Sequence, residues 1–226
     1  MDFGKISVFS IFSFLIISCS QKNDMPVVEE SLNETDVPIT DEAPSDGFAA
    51  FGENRTLQRW LNFYQQENPD LKLENFEFLE SKKLETMKGT VSGIFDPEFD
   101  SVYLSFLIYN PSKTMYLDLD SYHWTLDKDG NALFEAGQEI DLVNLKDKTV
   151  TRVAFFGPSY WAEDAFWVTD SAFVLLQNSD RNEAGFQLFN LKENSVSTYS
   201  YSEPLKIRDE FYNDSRLKNK GIKVLQ

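Results

Sequence analysis

The feature that most limits the fold of this chain is a long series of short strand-like runs separated by compact polar turns. From residue 71 onward, β-branched and aromatic residues alternate with polar ones, which is the pattern of half-buried strands. The candidate strands are residues 86–95, 102–109, 115–120, 122–127, 132–135, 139–144, 149–156, 165–169, 172–178, 185–190 and 195–201. Short connections between strands join antiparallel neighbours. We therefore expect a mainly β domain over residues 54–207, built as an antiparallel meander.

One short helix is predicted before these strands. Asn54 can cap it, and the apolar residues that follow recur at intervals of three and four positions. These residues are Leu57, Trp60, Leu61 and Tyr64. The pair Asn68-Pro69 would end the helix. At the other end of the chain, residues 208–226 mix charged and apolar residues, so we expect a short helix or a tail there, with docking of a partner as one role.

Two segments of the predicted domain echo each other. Residues 140–158, IDLVNLKDKTVTRVAFFGP, align with residues 186–204, FQLFNLKENSVSTYSYSEP, at an offset of 46. This period is close to the roughly 40–50 residues of a propeller blade, and the two segments resemble the outer hairpins of β-propeller blades. A third unit, residues 89–119, is fainter. A closed propeller needs about four blades, so two arrangements stay open: an incomplete, propeller-like stack or a twisted β-sandwich.

The N-terminus has the three parts of a secretory signal. Lys5 is followed by an apolar run over residues 6–17 and then by Ser18. The run is shorter than the roughly 20 residues of a membrane span, which favours a signal peptide over residues 1–18. The stretch that ends it, Ile16-Ile17-Ser18-Cys19, resembles the lipobox of bacterial lipoproteins. That resemblance implies cleavage before Cys19 and attachment of a diacylglycerol to its thiol.

Cys19 is the only cysteine in the chain, so it can form no intramolecular disulfide. A buried structural thiol and a leftover reactive thiol are the alternatives to lipidation. Residues 20–24, Ser-Gln-Lys-Asn-Asp, are similar to the short polar and acidic signals that direct some Gram-negative lipoproteins to the cell surface, although Asn23 replaces an acidic residue. We expect an exported protein anchored by its lipid in the outer membrane, facing either the periplasm or the cell surface.

Residues 19–53 are predicted to form an acidic, disordered spacer. Between residues 24 and 53 the chain has many Asp and Glu residues and no Lys or Arg. Such a segment repels itself and has too little apolar surface to offset the entropy of ordering. The whole chain has a net charge of -16. This charge argues against nucleic acid and against anionic lipid surfaces as partners, because phosphate groups are bound by clusters of Lys and Arg.

The residue inventory offers little for catalysis. The single histidine, His123, lies in a predicted strand without a nucleophile elbow. With one cysteine and one histidine, a zinc site of the usual kind is excluded. Residues 127–131, DKDGN, suggest a calcium loop, but the positions that require carboxylates at its two ends are Thr125 and Ala136. We assign no catalytic residue, no cofactor and no metal site.

The densest group of candidate binding residues lies in the segment 157–170, GPSYWAEDAFWVTD. Tyr160, Trp161 and Trp167 stand close to Glu163 and Asp164. Aromatic rings beside carboxylates stack on sugars and accept their hydroxyl hydrogens, or anchor a protein partner. The structural alternative is that the rings fill the core and the acids solvate a loop. As neighbours in sequence, the two acids are expected to point apart.

The sequence therefore favours a membrane-anchored envelope lipoprotein with a non-enzymatic binding or structural role, whose partner is an envelope protein or a glycan. A carbohydrate-binding surface lipoprotein is the first alternative, and a carboxylate-dependent hydrolase is the second. A glycan platform requires exposed and coplanar rings, whereas a hydrolase requires a cleft with a carboxylate of raised pKa.

Overall fold

A computed structural model describes Phe48 and residues 51–225. The predicted signal peptide, Cys19 and nearly all of the predicted acidic spacer lie outside the described residues. Among the described residues, no helix combines the length and the apolar character needed to cross a bilayer.

The described residues form two helices and twelve strands. The helices are α1 (Arg55–Gln65) and α2 (Tyr212–Asn219). The strands are β1 (Phe76–Lys83), β2 (Met87–Lys88), β3 (Ile108–Tyr109), β4 (Met115–Asp118), β5 (Trp124–Leu126), β6 (Ala132–Phe134), β7 (Gln138–Asn144), β8 (Thr149–Phe156), β9 (Tyr160–Thr169), β10 (Ala172–Ser179), β11 (Gly185–Asn190) and β12 (Ser195–Tyr201). This confirms a mainly β fold preceded by one short helix.

Two five-stranded antiparallel sheets share one plan. Sheet A has the order β9-β10-β11-β12-β1, and sheet B has the order β3-β4-β7-β8-β2. Each sheet is a meander of strands that is completed at its far edge by a strand from the N-terminal part of the domain. The hairpin β5-β6 forms a third sheet between β4 and β7 in the chain. Over residues 51–225 the sheets do not close into a barrel.

The sequence echo corresponds to equivalent hairpins, β7-β8 in sheet B and β11-β12 in sheet A. In the first, Asn144 Oδ1 accepts hydrogen bonds from the main-chain N–H groups of the second and third residues after it, and Asn190 does the same in the second. Lys148 and Asn194 then adopt positive φ values of 51° and 54°. The repeated Asn-Leu-Lys sequence therefore encodes the same turn twice.

The sheets pack face to face, and the helices and a loop segment cover them. On β10, Phe173 and Leu175 pack into the cluster between the two sheets, whereas Val174 and Leu176 pack toward α1. Alternate residues of a strand point to opposite faces, so a strand covered on both sides is apolar throughout. The outer face of sheet B packs against parts of the segment 94–107. The sheets thus stack as in a sandwich, while each keeps the meander order of a blade.

Helix α1 forms as its sequence predicts. The side chain of Asn54 accepts hydrogen bonds from the main-chain N–H groups of Thr56, at 2.9 Å, and Leu57, at 3.4 Å. The predicted apolar face is buried against sheet A and includes Trp60, which is fully buried. Because a helix of this length is marginal in isolation, burial of this face is what stabilises it.

Three strand predictions were wrong in extent. The segment 86–95 contains only the two residues of β2, and the segment 102–109 contains a 3₁₀ turn (Ser101–Ser105) before the two residues of β3. Asp100 caps that turn by accepting from the N–H of Val102 at 2.9 Å. Strand β1 was missed because it is a charged edge strand without regular alternation, and β9 begins at Tyr160 rather than at residue 165.

We predict that Gly185→Ala destabilises the domain by about 1–3 kcal/mol. A Cβ atom at this position would lie 2.8 Å from the main-chain oxygen of Tyr199, which cannot rotate away. Urea denaturation measures the change in the free energy of unfolding. Gly157→Ala is the matched control, because its Cβ would meet nothing within 4 Å. Equal stability of the two variants would contradict the close contact between β11 at Gly185 and the main chain of β12 at Tyr199.

Candidate functional site

An aromatic cleft opens where the start of β9 meets the end of β6 and the beginning of α2. Its volume is about 260 Å³. We call this site the aromatic cleft and define it by five rings: His123, Phe134, Tyr160, Trp161 and Phe211. The polar side chains in its lining belong to Glu135, Gln138, Asn213 and Asp214.

The rings are held at an angle to one another. Trp161 packs edge-to-face on Phe211, with centroids 5.0 Å apart and planes at 84°. His123 and Phe134 lie 5.3 Å apart. Phe134 and Tyr160 remain 41% and 47% exposed, although the Tyr160 hydroxyl donates to Glu183 at 2.8 Å. The cleft therefore presents aromatic surface both to its interior and to solvent.

The polar groups of the cleft differ in their availability. Gln138 is buried and committed to the fold, because its amide donates to the carbonyls of Leu119 and Ala162 and accepts from the N–H of Ala162. His123 Nδ1 lies 3.3 Å from the carbonyl oxygen of Gly137, so that nitrogen carries the proton. Burial lowers the pKa of His123, and the imidazole is neutral at neutral pH.

Carboxylates supply the charge at this site. Glu135 is exposed, whereas Asp214 is partly buried, and burial raises the pKa of Asp214. The lining, as far as the structure describes it, contains no Lys or Arg. The cleft thus combines aromatic faces with hydrogen-bond acceptors and carries no positive charge.

The structure divides the predicted site residues into two groups. Tyr160 and Trp161 line the aromatic cleft, at the beginning of β9. Trp167 is only 8% exposed, packs in the cluster between the two sheets and donates from Nε1 to the carbonyl of Ile108 at 2.8 Å. The three rings therefore do not form an exposed, coplanar platform, because an extra residue in β9 between Trp161 and Trp167 turns Trp167 to the face toward sheet B.

Glu163 belongs to a buried network instead of the cleft. In the pairing of β9 with β10, Leu176 lies opposite Asp164 and Gln177 lies opposite Ala162, which leaves Glu163 as the extra residue of a β-bulge. Its carboxylate is fully buried and accepts from Trp60 Nε1 at 2.7 Å and from the Tyr64 hydroxyl at 2.6 Å.

Tyr64 joins both helices to this carboxylate. Its hydroxyl also accepts from Asn178 Nδ2 and from the main-chain N–H of Tyr212, each at 3.1 Å. The hydroxyl of Tyr212 in turn donates to Asp164 Oδ2 at 2.9 Å. The expectation that Glu163 and Asp164 point apart was wrong, because the bulge lets both side chains reach the helices.

A second buried pair fixes α2 to the chain before β5. Arg216 donates from both Nη atoms to the two oxygens of Asp120, at 3.0 and 2.8 Å, and from Nη2 to Asn213. Burial opposes ionisation of Asp120, but Arg216 and the N–H of Trp124 together hold its pKa below the usual range. Both oxygens of Asp120 therefore accept hydrogen bonds, which helps to offset the cost of removing this ion pair from water.

A further acidic group lies within sheet B. Asp118 on β4 is opposite Asp141 on β7. Both oxygens of Asp141 are buried and have no hydrogen-bond partner among the residues that the structure describes. Burial, followed by the neighbouring Glu139, raises the pKa of Asp141 to about 8. No three His, Cys, Asp or Glu residues in the described part of the chain are grouped so that they could hold a metal ion.

Three rings of the cleft, His123, Phe134 and Phe211, were missed as site residues from the sequence. Phe134 follows a predicted turn, and Phe211 lies in the segment expected to be a short helix or a tail. Their proximity to Trp161 depends on contacts between distant parts of the chain. The exposed fraction of Phe134, an aromatic residue at the end of a short hairpin, is the signal that only a structure provides.

Comparison with known protein families, with curated protein sequences and with solved structures finds no match to this chain. The interpretation of the aromatic cleft therefore depends on its residues and geometry alone.

We predict that Glu163 makes stability depend on pH. Its pKa rises from 4.5 to about 7 in the folded state because the carboxyl is buried. The folded state thus holds the proton more tightly, and this stabilisation is complete below pH 4.5 and lost as the pH rises through about 7. From this group alone, the free energy of unfolding falls by about 3 kcal/mol over that interval.

Urea denaturation at a series of pH values measures this dependence in the wild type and in Glu163→Gln. The difference between the two curves isolates residue 163, and it should decrease from pH 4.5 to about pH 8. Glu203→Gln, at an exposed carboxylate, serves as the matched control for the substitution. A flat difference for Glu163→Gln would contradict the buried ionisable network.

Proposed function

We propose that this chain is a lipid-anchored protein of a bacterial envelope whose folded domain acts as a non-enzymatic binding component. The observation that carries the binding role is the aromatic cleft, a concave site whose rim leaves Phe134 and Tyr160 substantially exposed. Exposed aromatic side chains around a cavity are characteristic of interaction sites, because folding of the domain without a partner would favour burial of these rings.

The proposed anchor is supported by the sequence. Cys19 follows a short apolar run and the tripeptide Ile16-Ile17-Ser18, which resembles a lipobox. A mature lipoprotein carries more than one acyl chain, and two or more chains give stable attachment to a bilayer. The acidic residues between positions 24 and 46 would hold the domain away from the membrane surface, whereas Phe48 and Phe51 already pack in its core.

The size and lining of the cleft favour a small element of the partner. A volume of about 260 Å³ accommodates a single sugar ring or a single side chain of a protein. Trp161 and Tyr160 offer stacking surface, which is the usual anchor in such recognition. The partner is thus an envelope protein that inserts a side chain, or a glycan.

Carbohydrate binding is the second candidate, and the combination of groups in the cleft favours it. Trp161 supplies a ring, while Glu135 and Asp214 supply acceptors for hydroxyl hydrogens. This version uses Tyr160 and Trp161 only, since Trp167 is buried.

Carboxylate-dependent hydrolysis fits the geometry less well. Glu163 has a pKa near neutrality, but hydrogen bonds from Trp60 and Tyr64 occupy its two oxygens and it does not line the cleft. Asp141 also has a raised pKa, and it is buried inside sheet B away from the cleft lining. A general acid must reach its substrate, which neither Glu163 nor Asp141 does. Asp214 does line the cleft, and burial raises its pKa, so it is the carboxyl that this alternative would use.

We predict that Cys19→Ala abolishes fatty-acid labelling of the protein in its own cells. Metabolic labelling with an alkyne fatty acid should mark the wild type and leave the variant unmarked, because the thiol is the proposed site of attachment. Mass spectrometry of the wild type should place the diacylglyceryl group on an N-terminal Cys19. An unlabelled wild type, or label retained by the variant, would contradict the anchor.

We predict that Trp161→Ala removes capture of the partner by the cleft. Cross-linking of the intact protein in its cells, followed by mass spectrometry and a glycan array, should show at least a roughly tenfold loss for this variant, the scale expected for an aromatic anchor. Tyr109→Ala is the control, because Tyr109 is 38% exposed and does not line the cleft. Equal capture by wild type and Trp161→Ala would refute binding in the cleft.

A further inference from the structure

A second cavity, which we call the cationic groove, lies between α1, α2 and the segment 106–108. Its volume is about 650 Å³, within the range of roughly 300–1,000 Å³ of sites for small molecules. Its lining includes three cationic side chains: Arg59 from α1, Arg216 from α2 and Lys220 just after α2. Such a concentration is unusual in a chain whose net charge is -16.

Two of these cations are not neutralised. Within the described part of the chain, neither Arg59 nor Lys220 forms an ion pair. Arg59 Nη2 donates to the hydroxyl of Thr56 at 3.2 Å, and Lys220 Nζ donates to the carbonyl of Ser105 at 2.6 Å. The Lys220 ammonium also lies 4.4 Å from the centroid of the Phe106 ring. All of these partners are uncharged, so both positive charges remain available to a ligand.

The third cation, Arg216, is buried and already paired with Asp120. Its Nε has no hydrogen-bond partner among the residues for which the structure gives positions. Lys220 is affected by this neighbour: burial lowers its pKa, and the positive charges of Arg216 and Arg59 lower it further, although Asp120 and Asp164 act in the opposite direction. The cations of the groove therefore repel one another, which a bound anion would relieve.

Asp164 is the one carboxylate of the lining among the residues that the structure describes, and both of its oxygens already accept hydrogen bonds. Its Oδ1 accepts from the N–H of Ala165 at 2.9 Å, and its Oδ2 accepts from the Tyr212 hydroxyl at 2.9 Å. Burial raises the pKa of Asp164 while Arg216 lowers it. With Asp120 and Asp164 as the carboxylates beside Arg59, Arg216 and Lys220, the groove keeps one positive charge in excess, and neither Arg59 nor Lys220 is held in an ion pair with a described residue.

The remaining walls of the groove are of two kinds. Apolar surface comes from Phe63 and Ile108, which are partly exposed, and polar side chains include Ser215 and Asn219. A bare inorganic ion would leave most of this apolar surface and volume unused. The walls thus fit a ligand with an apolar part joined to a charged group.

We propose that the cationic groove binds a small organic oxyanion, with its carboxylate or phosphate between Arg59 and Lys220 and its apolar part against Phe63 and Ile108. This site is separate from the aromatic cleft, since the two cavities share no lining residue. Binding here would bridge α1 and α2, the two helices that the Glu163 network holds together.

Isothermal titration of the intact protein with phenyl phosphate and with benzoate tests this site. We expect at least one of the two to bind, with an affinity several-fold above that of inorganic phosphate. Arg59→Gln and Lys220→Gln should each weaken binding about tenfold, the scale of one charge-assisted contact. Both side chains are on the surface, so thermal unfolding should show that both variants stay folded.

Lys218→Gln is the matched control. Lys218 lies on α2 but forms an ion pair with Glu210 and does not line the groove, so its loss should leave the affinity unchanged. Benzyltrimethylammonium, with a similar ring and the opposite charge, should not compete. Absence of binding by both oxyanions, equal affinity for inorganic phosphate, or equal weakening in Lys218→Gln would overturn the proposal. Trp161→Ala should leave this binding intact, which separates the groove from the aromatic cleft.

Discussion

The carboxylate of Glu163, buried at a bulge in the edge strand of sheet A, receives hydrogen bonds from Trp60 and Tyr64 of α1. No cation contributes a hydrogen bond to it among the described residues. Burying an ionised carboxylate without a counter-charge is energetically costly, and this cost raises the pKa of Glu163 to about 7. The network is nevertheless fully hydrogen-bonded, which makes its geometry specific. Because Tyr64 also accepts from the main chain of Tyr212, the position of α2 depends on the same carboxylate.

The aromatic cleft and the cationic groove both depend in turn on α2. Phe211, Asn213 and Asp214 at its beginning complete the aromatic cleft, and Arg216 and Lys220 at its other end complete the cationic groove. The helix has little apolar surface of its own, since only Leu217 of its residues is a fully buried aliphatic. Hydrogen bonds from Tyr212 to Asp164 and from Arg216 to Asp120 therefore supply much of its attachment. These buried hydrogen bonds, together with those of Glu163 and Tyr64, form what we call the polar joint. It attaches α2 to the two packed sheets and so shapes the aromatic cleft and the cationic groove.

The sequence predicts those parts of the fold that local rules govern. The cap at Asn54, the apolar face of α1 and the two Asn-Leu-Lys hairpins all follow from residues close together in the chain. Strand β1 could not be found in this way, because its pairing with β12 joins distant segments and its edge position permits charged residues.

The candidate site was predicted only in part, and for a clear reason. Tyr160 and Trp161 were identified by their residue type and proximity, and they do line the cleft. The directions of Glu163, Asp164 and Trp167 depend on a bulge that adds one residue to β9. No pattern in the neighbouring sequence predicts this bulge. Phe211 reaches the cleft because of the buried polar joint, which connects residues about a hundred or more positions apart in the chain.

Hydrogen exchange in Tyr64→Phe tests the role of this joint most directly. The variant keeps the ring and its packing but removes the hydroxyl that contacts Glu163, Asn178 and the main chain of Tyr212. We expect the amides of α1 and of α2 to lose protection together, while those of β10 and β11 keep theirs. Unchanged protection in α2 would show that its position does not depend on the Glu163 network and would contradict the account.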